Sequence, residues 1–209
     1  MPSIETMMVV ALAGFALSAS PGPSMLYVLS RSVGQSRAAG LASAVGLGLG
    51  GVALAVVAAL GLAAVFQQSE LLYRSVTYAG GLYLIYLGAQ MILEKDSGEP
   101  GEMKVAKVER RSYARIIWQG VLVELMNPKT VLFFMAFIPP FVDMSKGDVM
   151  MQMLVLGILV PLTAVPSDVL VAFVGGSLAQ TVKGNRLIRR GLAWLGGLIL
   201  VGIGLRLFL

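Results

Sequence analysis

The sequence predicts an all-α membrane protein with six transmembrane helices, on the evidence of its composition, its apolar runs and the charges between them. Of the 209 residues, 57% are hydrophobic and 13% are charged, whereas a soluble domain has about 25% charged residues. The apolar runs reach the roughly 20 residues that cross a bilayer as a helix. We therefore expect lipid to surround most side chains, and we expect no soluble domain.

Six apolar segments are separated by polar or charged connections. They are predicted as helices 1 to 6 at residues 5–30, 40–66, 70–93, 114–139, 149–176 and 188–208. The first segment has no Lys or Arg before Arg31, so it lacks the basic region of a cleaved signal peptide. We expect this segment to be retained as a transmembrane helix.

The distribution of basic residues predicts the orientation. The connections after helices 1, 3 and 5 contain Arg31, Arg37, Lys95, Lys104, Lys107, Arg110, Arg111, Arg115, Lys183, Arg186, Arg189 and Arg190. The other side has only Arg74, Lys146 and Arg206. Because basic connections usually stay in the cytoplasm, both termini are predicted to lie outside. The formal charge of +5 thus reflects membrane topology, and no nucleic-acid partner is expected.

The domain organisation is predicted to be two three-helix halves, residues 1–93 and 114–209. The stretch between them, residues 94–113, has mixed charges with Gly98, Pro100 and Gly101, which is typical of a flexible cytoplasmic linker. The halves resemble each other in the glycine spacing of 80–88 and 196–204. Because each half has an odd number of helices, a duplication gives inverted repeats, an architecture common among secondary transporters.

Proline interrupts helices 1 and 4, at Ser20-Pro21-Gly22-Pro23 and at Asn127-Pro128. A proline frees the carbonyl four residues earlier, which in lipid must find a partner or water. Ser20 and Asn127 each have the form of an N-cap followed by proline. Each is predicted to start a half-helix whose N-terminus, with its partial positive charge, suits a carboxylate. The alternative is that the prolines only kink two helices for packing.

Three ionisable residues, Glu124, Lys129 and Asp168, lie well inside predicted helices, away from their ends. Charges there are unfavourable and often mark a pathway or a site. We expect Lys129 to hold a carboxylate, Glu124 to hold an ammonium or take up a proton, and Asp168 to be the second candidate for proton coupling. The alternatives are a structural pair between Glu124 and Lys129, and a capping role for Asp168 after Pro166.

The chain has no cysteine and no histidine, which removes thiolate chemistry, imidazole bases and the commonest zinc ligands. We therefore expect no enzyme activity, no metal site and no cofactor. A cation or metal exporter could use carboxylates and carbonyls, and this is the alternative to export of an organic solute. A membrane enzyme with Ser20 or Ser24 as nucleophile would have no histidine as its base. A structural subunit would need no charges within its helices.

Two motifs carry a resemblance to a known family. Ser20-Pro21-Gly22-Pro23-Ser24, followed by Arg31 and by Ala38-Ala39-Gly40-Leu41, resembles the opening of the lysine exporter (LysE/RhtB) family. Asn127-Pro128-Lys129, followed by Phe133-Phe134, resembles the second signature of that family. The segment 79–84 is similar to its third helix. The resemblance runs over essentially the whole chain.

The resemblance implies an exporter of amino acids, or of homoserine and its lactone, in a bacterial inner membrane. It also implies proton antiport, with a small-molecule substrate and membrane lipid as partners, and it allows a homodimer. By position, the family's site residues are Pro21, Gly22, Pro23, Asn127, Pro128 and Lys129, to which we add Ser20 as a cap and Glu124 and Asp168 on charge. Where some relatives have a polar residue in helix 2, this chain has Gly50, Gly51 and Val52. We therefore expect leucine-like or aromatic side chains to be preferred over lysine.

Overall fold

The protein is all-α in the residues described by a computed structural model, which are 1–19, 22–66, 70–93, 109–174 and 186–208. The helices are α1 (Ile4–Ala19), α2 (Pro23–Gly34), α3 (Arg37–Phe66), α4 (Glu70–Leu93), α5 (Tyr113–Leu125), α6 (Pro128–Phe137), α7 (Val149–Val174) and α8 (Arg186–Arg206). A single 3-10 turn, Pro139–Phe141, follows α6. No strand occurs in these ranges. Helix satisfies every backbone polar group within one segment, as lipid requires.

The predicted helix bounds agree with the observed bounds within about four residues. Predicted helices 1 and 4 are each two helices, α1 with α2 and α5 with α6. The members of these pairs are bent by 56° and 53°, respectively. The proline motifs therefore break the two helices more sharply than a simple kink, as the sequence predicted.

Three helical segments are long and apolar enough to cross a membrane alone: Arg37–Leu62, Arg74–Leu93 and Val149–Val174. Each bent pair also qualifies when its two members are taken together, either as a broken span or as a re-entrant loop. The apolar part of α8, Trp194–Arg206, is shorter. The described residues thus contain three spans, or up to five, and the sixth remains a prediction.

The centre of the fold is α3, which packs against α7 and α5. Small residues allow this approach. A Cβ added to Gly51 would lie 2.8 Å from the Cβ of Pro161, and one added to Gly157 would lie 2.9 Å from the Cβ of Ala55. In lipid, such close backbone packing drives helix association.

The second close crossing joins α4 to α8. A Cβ at Gly88 would lie 2.5 Å from the carbonyl oxygen of Gly197, and one at Gly197 would lie 2.6 Å from that of Gly88. A Cβ at Gly204 would lie 2.8 Å from the carbonyl oxygen of Gly81. The two helices therefore meet backbone to backbone at two places.

The largest apolar core follows α6 away from the proline break. Phe133, Phe134 and Phe137 are fully buried, and the rings of Phe133 and Phe137 stack with centroids 4.4 Å apart. Val10 of α1 and Leu84 of α4 belong to the same cluster. One side of the break is therefore sealed by closely packed apolar side chains.

Candidate functional site

A cavity of about 60 Å³ lies where the two helix breaks meet. One water needs about 10–15 Å³, so the cavity has room for several. Its polar lining comprises Ser18, Ser24, Glu124, Asn127, Lys129, Thr130 and Asp168. Its apolar lining includes Leu17, Met25, Leu47, Phe134, Val160 and Val165. A polar chamber among otherwise apolar helices is what the prolines and the buried charges predicted.

The break between α5 and α6 has the predicted geometry. Asn127 is the N-cap of α6, and its side-chain oxygen accepts a hydrogen bond from the backbone N–H of Lys129 at 3.1 Å. Pro128 occupies the first helical position, where no backbone donor is needed. The carbonyl of Glu124, which Pro128 was expected to free, accepts from the N–H of Asn127 at 3.1 Å. The predicted half-helix start at Asn127 is confirmed.

At the break between α1 and α2, the second half-helix starts two residues later than predicted. The second half-helix begins at Pro23 and has Gly22, in an extended conformation, as its N-cap. Our prediction of Ser20 as the cap and Pro21 as the first helical residue was wrong, because Pro23 takes the position that suits a proline. The predicted roles of Ser20 and Pro21 in the site concern residues outside the described ranges.

Two hydrogen bonds connect the breaks to each other. Ser24, in the first turn of α2, donates from its hydroxyl to Oε2 of Glu124 at 2.5 Å. Lys129, in the first turn of α6, donates from Nζ to the carbonyl oxygen of Leu17 at 2.8 Å. Leu17 lies four residues before Pro21, so its carbonyl is one that the proline motif was expected to free. Thus α2 bonds to the last turn of α5, and α6 bonds to the last turn of α1.

The side chain of Asn127 completes this connection. Its Nδ2 donates to the hydroxyl of Ser24 at 2.9 Å, and the residue is only 4% exposed. Ser24 therefore accepts from Asn127 while it donates to Glu124. The chain of three polar groups fixes the carboxylate of Glu124 at the cavity wall.

Asp168 reaches the cavity from α7 and is 9% exposed. This helix runs without interruption from Val149 to Val174, with Pro161 and Pro166 inside it. A capping role for Asp168 after Pro166 is therefore wrong, since the residue lies in the helix interior. The neighbouring Ser167 shares a hydrogen bond of 3.1 Å with Ser18, which joins α7 to α1 beside the cavity.

The structure brings five predicted site residues to one cavity: Gly22, Glu124, Asn127, Lys129 and Asp168. Pro23 and Pro128 instead start the two half-helices. Sequence reasoning did not assign Ser24, Ser18 or Thr130 to a solute site. For Ser24 a signal was present, because it follows Pro23 directly and must fall in the first turn of the new half-helix.

The chemistry of the cavity suits a solute with both charges. It combines one amine, two carboxyl groups and the N-terminus of α6 with an apolar wall. In the parts of the chain that the structure describes, no three His, Cys, Asp or Glu side chains gather as a metal would require.

Comparison with known proteins identifies the family. Residues 15–209 match the family model described as LysE type translocator. The chain belongs to the LysE family. The resemblance noted in the sequence is thereby confirmed, and this LysE-family protein is a multi-pass membrane protein of a transporter family.

Several relatives cover most of both chains. The leucine efflux protein of Enterobacter sp. (strain 638) is 29% identical over 191 residues, which are 90% of this chain and 87% of the relative. The uncharacterized membrane protein PA4757 of Pseudomonas aeruginosa is 30% identical over 189 residues, also 90% and 87%. YrhP of Bacillus subtilis (strain 168), an uncharacterized membrane protein, is 28% identical over 191 residues, 89% and 90%. No solved structure matches the chain significantly.

Proposed function

We propose that this LysE-family protein exports neutral amino acids with leucine-like side chains across the inner membrane, in exchange for protons. The observation that carries the proposal is the single cavity shared by Lys129, Glu124 and Asp168. An α-amino acid has one carboxylate and one ammonium group, and this cavity offers a partner for each. The remaining wall is apolar.

The carboxylate of the substrate is assigned to Lys129 and the N-terminus of α6. The ammonium of Lys129 donates to a neutral acceptor, the carbonyl oxygen of Leu17. A substrate carboxylate makes a stronger, charge-assisted hydrogen bond. The first turn of α6 adds the partial positive charge of a helix N-terminus. Binding therefore shifts Lys129 from the α1 carbonyl to the substrate.

The two acidic residues, Glu124 and Asp168, are assigned different roles. Glu124 is positioned by Ser24, which suits a fixed partner for the substrate ammonium. Asp168 makes no hydrogen bond that joins its carboxylate to another described residue, so water in the cavity can reach it for proton exchange. Outward movement of the substrate is coupled to inward release of the proton from Asp168.

The substrate side chain is assigned to the apolar part of the wall, where Leu47, Val160 and Val165 face the cavity and Gly48 and Gly51 leave space. Among the described lining residues, Glu124 and Asp168 are the only acids. A second ammonium, as in lysine, would compete for the proton-coupling residue. The relatives named as leucine efflux proteins support the same substrate class.

The transport cycle is assigned to two inverted repeats that move against each other. When the segments 80–88 and 196–204 are matched, Gly81 corresponds to Gly197 and Gly88 corresponds to Gly204. Exchanging the two halves then converts the contact between Gly81 and Gly204 into a contact between Gly197 and Gly88. Both contacts occur. Reciprocal contacts of this kind are typical of a two-fold interface and support alternating access around the cavity.

Export from whole cells tests the function. Cells that overproduce the wild type, Lys129→Ala or Lys146→Ala are loaded with dipeptides, and amino acids in the medium are followed by mass spectrometry. Lys146 is a matched control, because it lies in an exposed loop and pairs with Asp143 at 3.1 Å. We expect faster release of leucine and similar amino acids by the wild type and by Lys146→Ala, and no increase with Lys129→Ala at equal abundance.

Two other results would change the proposal. If the wild type accelerates the release of no amino acid, amino-acid export is wrong, and cations become the next substrates to test. If lysine or arginine leaves faster than neutral amino acids, the assigned side-chain class is wrong.

A further inference from the structure

One face of α2 is joined to α5 and to the residues before it by a series of hydrogen bonds. We call this contact the polar seam and define it on the α2 side by Ser24, Tyr27, Arg31 and Gln35. The spacing of three or four residues places them on one helical face. The seam starts at the cavity, where Ser24 bonds Glu124, and runs towards the N-terminus of α5.

The bonds of the seam continue step by step away from the cavity. The hydroxyl of Tyr27 donates to the carbonyl oxygen of Ile116 at 2.9 Å, and Nη2 of Arg31 donates to Oε1 of Gln119 at 3.0 Å. Nη1 of Arg31 donates to the carbonyl oxygen of Glu109 at 3.1 Å. At the far end, the Gln35 amide makes two bonds with the backbone of Arg111, at 2.8 and 3.1 Å.

The opposite side of the cavity is sealed in a different way. There the break leads along α6 into the stacked, fully buried rings of Phe133 and Phe137. Water can replace the hydrogen bonds of the seam one by one, and the apolar contact that is lost with them is small, that of Tyr27 with the cluster of Ile116. Exposing the aromatic cluster to water costs much more free energy. The seam is therefore the side of the cavity that opens more easily to water.

Arg31 at the centre of the seam is unusual in its partners. It is 7% exposed, and its guanidinium donates to two neutral oxygens among the described residues, while the ring of Tyr27 lies 5.7 Å away. No ion pair joins it to a carboxylate within the described ranges. It lies in the last turn of α2, where the helix dipole favours a cation. A carboxylate would be a stronger acceptor than either present partner.

The closed seam also leaves one donor unused. Nε of Arg111 is buried and has no hydrogen-bond partner among the described residues. Buried polar groups normally have a partner. Water admitted by an open seam would supply one, so opening is favoured at this position.

We propose that the polar seam is the gate between the cavity and the side where α5 begins, and that Arg31 binds the carboxylate of the substrate as the gate opens. Arg31 then passes the carboxylate on to Lys129 in the cavity. The identity of the substrate rests on the proposed function. The gate itself can be tested without any substrate.

The gate is tested by the accessibility of a single thiol. The chain has no cysteine, so Ala164→Cys places one reporter at the cavity wall. Its rate of reaction with a small charged thiol reagent is measured from each side of membrane vesicles. Adding Tyr27→Phe and Arg31→Gln removes seam bonds, and we expect about tenfold faster labelling, and only from the α5 side.

A matched control lies on the same helix. Ser32 donates to the carbonyl oxygen of Ala172 on α7 at 2.5 Å, away from the seam. Ser32→Ala, in the Ala164→Cys background, should leave the labelling rate unchanged. Equal rates in the seam variant and the Ser32 variant, or faster labelling from the opposite side only, would overturn the gate.

The carboxylate role of Arg31 is tested by comparing leucine with leucine amide, which has no carboxylate. We expect Arg31→Gln to raise the ratio of the KM for leucine to the KM for leucine amide about tenfold. Arg31→Lys should retain part of the discrimination. Equal losses for both compounds would contradict the role of Arg31, whereas a wild type that transports neither would contradict the proposed function and leave the labelling result standing.

Discussion

The hydroxyl of Ser24 donates to the carboxylate of Glu124 across 2.5 Å and so joins the first turn of α2 to the last turn of α5. The two residues are 100 positions apart in the chain. Because the same hydroxyl accepts from Asn127, Ser24 couples both helix breaks to the acid at the cavity wall.

Replacing Ser24 should therefore affect both stability and transport. Ser24→Ala leaves Glu124 and Asn127 without this partner, and we expect a loss of about 1–3 kcal/mol in the free energy of unfolding. Export should fall with it, and Ser24→Thr should restore part of both. Thermal unfolding in detergent and export from cells measure the two effects. Ser30→Ala is the control, since the hydroxyl of Ser30 donates to the carbonyl of Tyr27 within the same helix. An equal effect at both positions would contradict the prediction.

The contact of α3 with α5 depends on Gly50. A Cβ there would lie 2.7 Å from the Cβ of Glu124 and 2.9 Å from the carbonyl oxygen of Val121. We expect Gly50→Ala to lower the free energy of unfolding by about 1–3 kcal/mol, because overpacking forces the helices apart. It should also displace Glu124 and slow export.

Gly61 in the same helix provides the comparison for Gly50. Apart from the adjoining backbone of α3, no atom of the described residues lies within 4 Å of a Cβ added there, and alanine favours helix over glycine by about 1 kcal/mol. Gly61→Ala should be neutral or stabilising in the same unfolding measurement. If the two substitutions destabilise equally, close packing at Gly50 is not the cause.

Asp168 is expected to couple transport to protons. In Asp168→Asn the shape of the side chain is kept, but it no longer takes up and releases a proton. In proteoliposomes, leucine should still move down its own gradient through this variant, and an imposed pH gradient should no longer drive accumulation. Asp148→Asn is the control, because Asp148 caps the start of α7 in an exposed position. A variant that responds to the pH gradient like the wild type would remove Asp168 from the coupling scheme.

The connection before α7 should tolerate acid unusually well. Hydrogen bonds from Ser145, and then from Lys146, lower the pKa of Asp143 from 3.8 to about 2. Because the folded pKa lies below the unfolded one, the stabilisation is fully present above pH 3.8 and is lost as the pH falls through about 2. Protection of the Ser145 amide from hydrogen exchange should therefore persist at pH 3.5 in the wild type and be lost in Asp143→Ala, which has no acceptor for this amide. Loss of protection at the same pH in both proteins would contradict this.

Helix positions and breaks could be predicted because they depend on local sequence. Apolar runs of bilayer length and the charges between them fixed the helix bounds closely, and Asn127 caps α6 with its own side chain. At the first break, Pro21 and Pro23 both suit the start of a helix. The local sequence does not show which proline starts the helix, so the start at Pro23 is seen only in the structure.

The contacts that build the site could not be predicted in the same way. The bond from Lys129 to Leu17 joins residues 112 positions apart, and it depends on how the two breaks face each other. Charge alone indicated that Glu124, Lys129 and Asp168 need a polar environment. It could not show that Ser24 positions Glu124. A serine in the first turn of a helix looks the same in the sequence whether its side chain is exposed or bonded to another helix.

The crossing of α4 and α8 limits how these two helices can change during evolution. At most packed positions a larger residue on one helix can be accommodated by a smaller one on its neighbour. Gly88 and Gly197 allow no such exchange, because each faces the main-chain oxygen of the other and neither residue can become smaller. No compensatory substitution is therefore available at this pair, and the two helices must retain glycine here together, however far the rest of their sequences diverge.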